Sequence, residues 1–426
     1  MAQQSSLKIR SGRLLRGRIV LPASKSISGR ALVINALSGS SLLPDNLSDS
    51  DDTQAMLNAL REMPEVIDIG AAGTAMRFLT AYLSVTPSTH TLTGTERMKH
   101  RPIGILVDAL RTLGADIAYE GEEGFPPLRI AGRNDIEGGE LSVPGNVSSQ
   151  YISALLMIAP TLKKGLRLTL TGQIASRPYL DMTVSMMRDF GAEVEWIAKD
   201  VIEVKPGSYR QRPYHIESDW SAASYWYEMV ALSPDAGAQV ELVGLHHDSI
   251  QGDSKVWQLM SELGVATEYY EEPDGTEIIR LRKTGNLACH FCHDFSHQPD
   301  LAQTFAVTCA MLDVPFRLVG LQSLRIKETD RIAALVEELG KIVCLEGNDS
   351  ELLWEGFYNI DDLELLPFEE FTFDTYDDHR MAMALAPVCL RTGGEIVINN
   401  PEVVSKSYPH YWEDLEKVGF SICNEQ

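Results

Sequence analysis

Residues 316–346 read "FRLVGLQSLRIKETDRIAALVEELGKIVCLE": a short strand, a loop, a helix ending on Leu-Gly, then another strand. The same plan recurs at 90–120 ("HTLTGTERMKHRPIGILVDALRTLGADIAYE"), 166–196, 240–270 and 395–422, and more loosely at 37–63. The glycines at the helix ends, Gly114, Gly191, Gly264, Gly340 and Gly419, return about every 75 residues, which is the mark of an internal repeat. Glycine there suits the left-handed residue that closes a helix.

A second helix lies between successive copies of the first. These helices fall at 24–37 ("SKSISGRALVINAL"), 73–84 ("GTAMRFLTAYLS"), 147–159 ("VSSQYISALLMIA"), 221–232, 300–312 and 379–390. They are apolar around most of their circumference, as buried helices are, whereas the Leu-Gly helices keep a charged face and lie outside. The chain is therefore read as six α/β units, three per domain. The break falls near residue 220, and the N-terminal strand joins the later half.

Bulk composition fits an ordinary protein of two domains: 426 residues, 44% apolar and 23% charged. The first residues, "MAQQSSLKIRSGRLLRGRIVLPASKS", hold no apolar stretch of signal-peptide length, and the run around "ISALLMIAP" is too short to span a bilayer. The expected setting is the cytoplasm. A net charge of −23 disfavours nucleic acid and anionic membranes as partners, so a local basic cluster is informative.

One cluster invites a metal or haem reading. "ACHFCHDFSHQPD", residues 288–300, contains Cys289, Cys292 and His293 in the spacing of a c-type haem attachment. Its place in the repeat is the strand and turn before a buried helix. Cys289 and Cys292, an odd number apart in a strand, would point to opposite faces. An ordinary strand with no metal is expected.

The notable polar residues sit at helix starts. Lys25, Ser26 and Arg30 open the first buried helix, Gly73 and Thr74 the second, Ser148, Ser149 and Gln150 the third, Asp300 the fifth, His379 and Arg380 the sixth. Outer helices begin with Arg101, with Ser176 and Tyr179, with Lys327, Glu328 and Arg331, and with Lys406. Helix N-termini favour anions, and basic residues there run against the helix dipole. Repeated at equivalent positions, they point to a common anionic ligand. No G-x-G-x-x-G follows a strand and no Walker lysine occurs, so a small phosphorylated carboxylate fits better than a nucleotide.

Together, "LPASKSISGRAL", "GTAMRFL", "RMKHRPI", "VSSQY", "RIKETDRI", "YDDHRMAM" and "VSKSYPHYW", in order from about residue 20 to 412, resemble the 5-enolpyruvylshikimate-3-phosphate synthase family of enolpyruvyl transferases. The resemblance implies two domains of three βαβαββ units with buried helices, an inside-out α/β barrel, joined by a double-stranded hinge. The domains would be 1–18 with 223–426, and 19–222. It implies transfer of the enolpyruvyl group of phosphoenolpyruvate to the 5-hydroxyl of shikimate 3-phosphate, releasing phosphate, with no cofactor or metal. A monomer is expected.

By position in those motifs, shikimate 3-phosphate would meet Lys25, Ser26, Arg30, Ser148, Ser149, Gln150, Ser176, Asp300, Ser323 and Lys327. Phosphoenolpyruvate would meet Lys25, Gly73, Arg101, Gln150, Arg331, Arg380 and Lys406. The chemistry needs one proton acceptor and one donor. Asp300 is the candidate acceptor and Glu328 the candidate donor, with Lys327 coupled to both, and Lys25 counts among the catalytic set. The sequence leaves the division among Asp300, Lys327 and Glu328 open. Ala71 and Ser323 stand where the family usually has asparagines, and Gly29 departs as well, so the resemblance does not carry over glyphosate sensitivity. Two rivals are a UDP-N-acetylglucosamine enolpyruvyl transferase and a non-catalytic repeat scaffold. The first typically has a Lys-Asn pair and an early reactive cysteine; here the pair is Lys25-Ser26, and no cysteine precedes Cys289. The intact Lys25, Arg101, Asp300, Glu328, Arg380 and Lys406 argue against the second.

Overall fold

The helix Trp220–Leu232 shows what organises the molecule: all its residues are buried, and Asp219 caps it by accepting from the Ala222 amide at 3.0 Å. Five more helices are buried in the same manner: Lys25–Leu37, Gly73–Ser84, Ser149–Ile158, Ala302–Met311 and His379–Leu385. Their partners are one-sided. In Gly104–Leu113, Leu106, Val107, Ala109, Leu110 and Leu113 face inward while Asp108 and Thr112 do not, so one stripe packs and the other meets water.

The computed structural model describes residues 5–12, 14–358, 371–393 and 395–425. Contacts divide it into one unit of Met1–Pro22 with Ser218–Gln426 and a second of Ala23–Glu217. Within the second unit the inner helices Lys25–Leu37, Gly73–Ser84 and Ser149–Ile158 pack on one another; within the first, Trp220–Leu232, Ala302–Met311 and His379–Leu385 do the same.

Among the described residues, five four-stranded sheets share one pairing plan. In the sheet of Gly139–Pro144, Leu166–Thr171, Val201–Val204 and Val194–Ala198, the first pair is parallel and the next two are antiparallel. The parallel pair brackets an inner helix, the crossover that parallel neighbours need. Leu166, Leu168 and Leu170 are buried while the residues between them are not, which places one face on the helices.

The N-terminal strands complete the first unit. Ser6–Arg10 lies between Glu395–Asn399 and Ser421–Asn424, antiparallel to both. Arg16–Val20 precedes the inner helix Lys25–Leu37 in sequence, yet it pairs in parallel with Gln239–Val243 of the first unit. In turn His215, just before Trp220–Leu232, bridges to Asp45 of the second unit. This exchange explains why the loose copy at 37–63 forms no full sheet: Asp45 makes an isolated bridge, followed by the outer helix Asp51–Glu62.

Two sequence expectations need correction. The glycine rule holds at Gly114, Gly191 and Gly419, of positive φ just after their helices; Gly264 has a positive φ but lies within the strand Leu263–Glu271, and Gly340 has a right-handed φ of −58°. There the cause is space, since a Cβ would press on the Val336 carbonyl oxygen. The strand expected over the Cys-His cluster begins only at Phe291 and runs to Asp294; Cys289 and His290 form a bend before it. The alternation argument therefore never applied to Cys289. Among the described residues no group of three or more His, Cys, Asp or Glu side chains is arranged to hold a metal ion.

Close approach also fixes Gly132, whose Cβ would fall on the carbonyl oxygens of Leu83 and Thr86. Gly132→Ala should cost about 1–3 kcal/mol by overpacking, read as a lower urea midpoint. Gly207→Ala, with no atom within 4 Å of the new methyl, should stay within about 0.5 kcal/mol of the parent. Equal midpoints for the two variants would refute the close-packing account.

Candidate functional site

In the first unit the chemistry converges on Arg331, the first residue of the outer helix Arg331–Leu339 and only 1% exposed. Its Nε and Nη2 donate to Asp378 at 2.7 and 3.2 Å, Nη1 to Asp300 at 3.0 Å, and Nη2 also to Glu328 at 3.1 Å. Asp300 lies on the short turn Pro299–Leu301 before an inner helix and accepts from Arg380 Nη2 at 3.0 Å, with Lys327 Nζ at 3.5 Å. Glu328 is joined to Lys406 at 3.1 Å, and Arg380 Nη1 donates to the Tyr225 hydroxyl at 3.4 Å.

Four cations thus interleave with three carboxylates, all partly or wholly withdrawn from water. Burial by itself would raise the proton affinity of Asp300; Arg380, Lys327 and Arg331 outweigh it and hold its carboxyl well below the usual aspartate range. Burial likewise opposes the charge on Arg331, but Asp378, Glu328 and Asp300 raise its pKa above the ordinary value. Asp378 does two jobs: it binds Arg331 and caps the inner helix His379–Leu385, accepting from the Arg380 amide at 2.9 Å. Lys406 ends the turn Pro401–Lys406, so it comes before the outer helix Tyr411–Lys417 and not at its first residue. Ser323 is half-buried on the turn Gln322–Ile326.

The second unit is built differently. Arg30 is 2% exposed, and its donors reach Thr183 Oγ1 at 2.7 Å, the Ser26 carbonyl at 2.9 Å, Ser153 Oγ at 3.0 Å and the Tyr179 carbonyl at 3.3 Å. Every acceptor is neutral. Burial lowers its pKa to about 10, still far enough above neutrality to keep it charged. The guanidinium also lies over the rings of Phe78 and Tyr179. Lys25 is paired with Asp52 at 3.2 Å.

Gly73 and Arg101 meet directly: a Cβ on Gly73 would lie 2.5 Å from Arg101 Nη1. Arg77, 4% exposed, holds that arrangement, donating to the Gly73 carbonyl at 3.0 Å and to the Pro102 carbonyl at 3.2 Å. Tyr151 donates to the same Pro102 carbonyl. Gln150 Nε2 donates to Thr74 Oγ1 at 3.0 Å, and Ser148 caps the helix that Ser149 begins. Ser176 precedes the helix Arg177–Asp189 in a left-handed conformation, φ 53°, and is 7% exposed.

Sequence reasoning therefore named Asp300, Lys327, Glu328, Arg331, Arg380 and Lys406, which form one connected network, and Gly73 with Arg101, which touch. It missed Asp378, Asp52, Arg77 and Tyr225. Asp378 and Arg77 were within quoted motifs ("YDDHRMAM", "GTAMRFL"); Arg77 stands one turn after Gly73, which was an available signal, whereas nothing local marked Asp378.

A model of EPSP synthase (3-phosphoshikimate 1-carboxyvinyltransferase) matches residues 9–67 and 63–415. A 3-phosphoshikimate 1-carboxyvinyltransferase of Bacteroides fragilis is 57% identical over 410 residues, covering 96% of each chain. One of Sulfurovum sp. is 35% identical, over 97% of this chain and 99% of its own. The fold is also that of EPSP synthase from Acinetobacter baumannii, with a TM-score of 0.76 and 22% identity over 99% of this chain and 100% of that one. On the strength of the matched model and the identity to these relatives, the chain belongs to the EPSP synthase (3-phosphoshikimate 1-carboxyvinyltransferase) family.

Proposed function

We propose that the protein transfers the enolpyruvyl group of phosphoenolpyruvate to the 5-hydroxyl of shikimate 3-phosphate, releasing phosphate, on the route to chorismate and the aromatic amino acids. The observation that carries the mechanism is the network around Arg331, in which Asp300 and Glu328 share one buried guanidinium, each with its own further cation.

In the addition step the 5-hydroxyl oxygen bonds to C2 of phosphoenolpyruvate. Asp300 takes the hydroxyl proton, and the Glu328–Lys406 pair supplies the proton gained by C3. In the elimination step C3 returns a proton to that pair, the bond from C2 to the phosphate oxygen breaks, and phosphate leaves with the proton that Asp300 had taken. Lys327, 3.5 Å from Asp300, steadies the charge as the hydroxyl ionises. No electrons pass to or from an external carrier, so the balance closes without a redox cofactor.

Binding roles follow the charge pattern. Arg30, with only neutral acceptors, keeps its charge for the shikimate phosphate, alongside Ser26, Ser148, Ser149, Gln150 and Ser176. Gly73 leaves room for the Arg101 guanidinium, which with Lys25, Gln150, Arg380 and Lys406 is assigned to phosphoenolpyruvate by position in the family's motifs. Arg331 acts chiefly as the junction of the carboxylates. The net charge of −23 supports small-molecule substrates over nucleic acid. Among the described residues no helix is long and apolar enough to cross a membrane. We take the enzyme to work in the cytoplasm as a monomer.

Purified protein without added metal should release phosphate only when both substrates are present; equal turnover with a UDP-sugar in place of shikimate 3-phosphate would overturn the acceptor assignment. Glu328→Gln should lower kcat about a hundred- to thousandfold, the usual loss when a charged group at a developing charge is removed, with shikimate 3-phosphate still bound. Ser176→Ala should chiefly raise the KM for shikimate 3-phosphate. Steady-state kinetics on both variants checks the division, and the reverse pattern would mean that binding and chemistry have been exchanged.

A further inference from the structure

Asp253 has no part in the mechanism above. It lies on the turn Gly252–Lys255 and is 3% exposed. Ser221 Oγ donates to its Oδ2, whereas its Oδ1 is buried and has no hydrogen-bond partner among the described residues. Native proteins pair nearly all such oxygens, so an exception asks for a reason.

Its surroundings supply one. Ser221 stands in the first turn of the inner helix Trp220–Leu232, and Tyr225 follows four residues later on the same face. The Tyr225 hydroxyl accepts from Arg380 Nη1 at 3.4 Å, and Arg380 Nη2 donates to Asp300 Oδ2 at 3.0 Å. One helix face therefore holds Asp253 and, a turn further on, the cation that grips Asp300. The turn is fixed in place by Gln251, whose Oε1 accepts from the Trp220 amide at 3.1 Å and whose Nε2 donates to the Ser218 carbonyl at 2.8 Å.

The charged groups that face Asp253 are Asp300, Arg380 and the helix cap Asp219. Burial, then the charge of Asp300, raises its pKa from the ordinary aspartate value to about 7; the Ser221 hydrogen bond and Arg380 pull it back, and Asp219 adds to the rise. It is thus neutral on the acid side of that value and ionised above it.

We propose that Asp253 is a positioning residue that acts through Arg380 and Asp300: its charge, held one helical turn away, sets how strongly Asp300 takes the proton of the attacking hydroxyl. When Asp253 ionises, its negative charge competes for Arg380 and repels that of Asp300, which becomes the better acceptor. The inference rests on the enolpyruvyl-transfer reading.

The test is kcat against pH, with both substrates saturating, for the parent, Asp253→Asn, Asp253→Glu and Ser221→Ala, each checked by thermal melting. Parent kcat should rise as pH passes through 7, by at most about tenfold, the factor that one unit of proton affinity represents. Asp253→Asn should be flat through that window with unchanged KM values, and Asp253→Glu should restore the rise. Ser221→Ala removes a hydrogen bond that favours the ionised form, so its rise should move to higher pH. A rise of the same size and midpoint in Asp253→Asn overturns the proposal. Should that variant fail to fold, an unmoved midpoint in Ser221→Ala overturns it instead. A parent that releases no phosphate defeats the transferase reading itself, an outcome distinct from a turning-over parent whose variants share its profile.

Discussion

A helix buried on every side can reach polar surroundings only at its ends, and six such helices lie among the described residues. Their lateral faces are closed to chemistry by packing: Trp220–Leu232 has no exposed residue at all. Their N-termini present amide groups without intrahelical partners, which must be satisfied locally. Ser24, Ser148, Asp219 and Asp378 do so by capping. Most of the candidate site residues lie beside these caps, whereas Arg30 and Arg77, further along their helices, are buried charges that neighbouring oxygens must satisfy. The site is thus a by-product of the way the core is built.

The two units meet the cost of buried charge in opposite ways. Around Arg331, the protein supplies its own counter-ions, and an arginine with three carboxylates is withdrawn from direct competition for substrate. Removing any one acid there leaves its cation partners uncompensated, the situation in which buried ion pairs are most fragile. Arg30 is surrounded by hydroxyls, carbonyls and aromatic faces. Such a cation is solvated without being neutralised, which is what a site for an anion requires. A chain with a net charge of −23 has acids to spare, so their exclusion from Arg30 is informative.

Much of this was legible in the sequence, because the features concerned are local. Apolar circumference gave the inner helices, one-sided patterns gave the outer ones, short motifs carried Glu328 and Arg380, and Asp300 stood out at the start of an inner helix. What was not legible depends on distant partners. Asp378 reaches Arg331 across 47 residues, and nothing in "YDDHRMAM" separates it from its neighbour Asp377. The exchange of Arg16–Val20 and His215 between neighbouring repeats leaves no trace in either stretch, since each reads as an ordinary extended segment. Gly340 shows a subtler limit: the sequence suggests a left-handed residue there, whereas its backbone is right-handed and the constraint is contact with Val336.

The placing of Ser6–Arg10 between Glu395–Asn399 and Ser421–Asn424 has a consequence for how the protein comes into being. During synthesis this strand leaves the ribosome early, but both neighbours are made hundreds of residues later. Ala23–Glu217 is contiguous and can fold while the rest is still being translated. The first unit cannot close until nearly the whole chain exists, so its opening strands must wait unpaired. Contacts so far apart in sequence form slowly. Ser6–Arg10 is thus among the first strands to be made and the last to be paired.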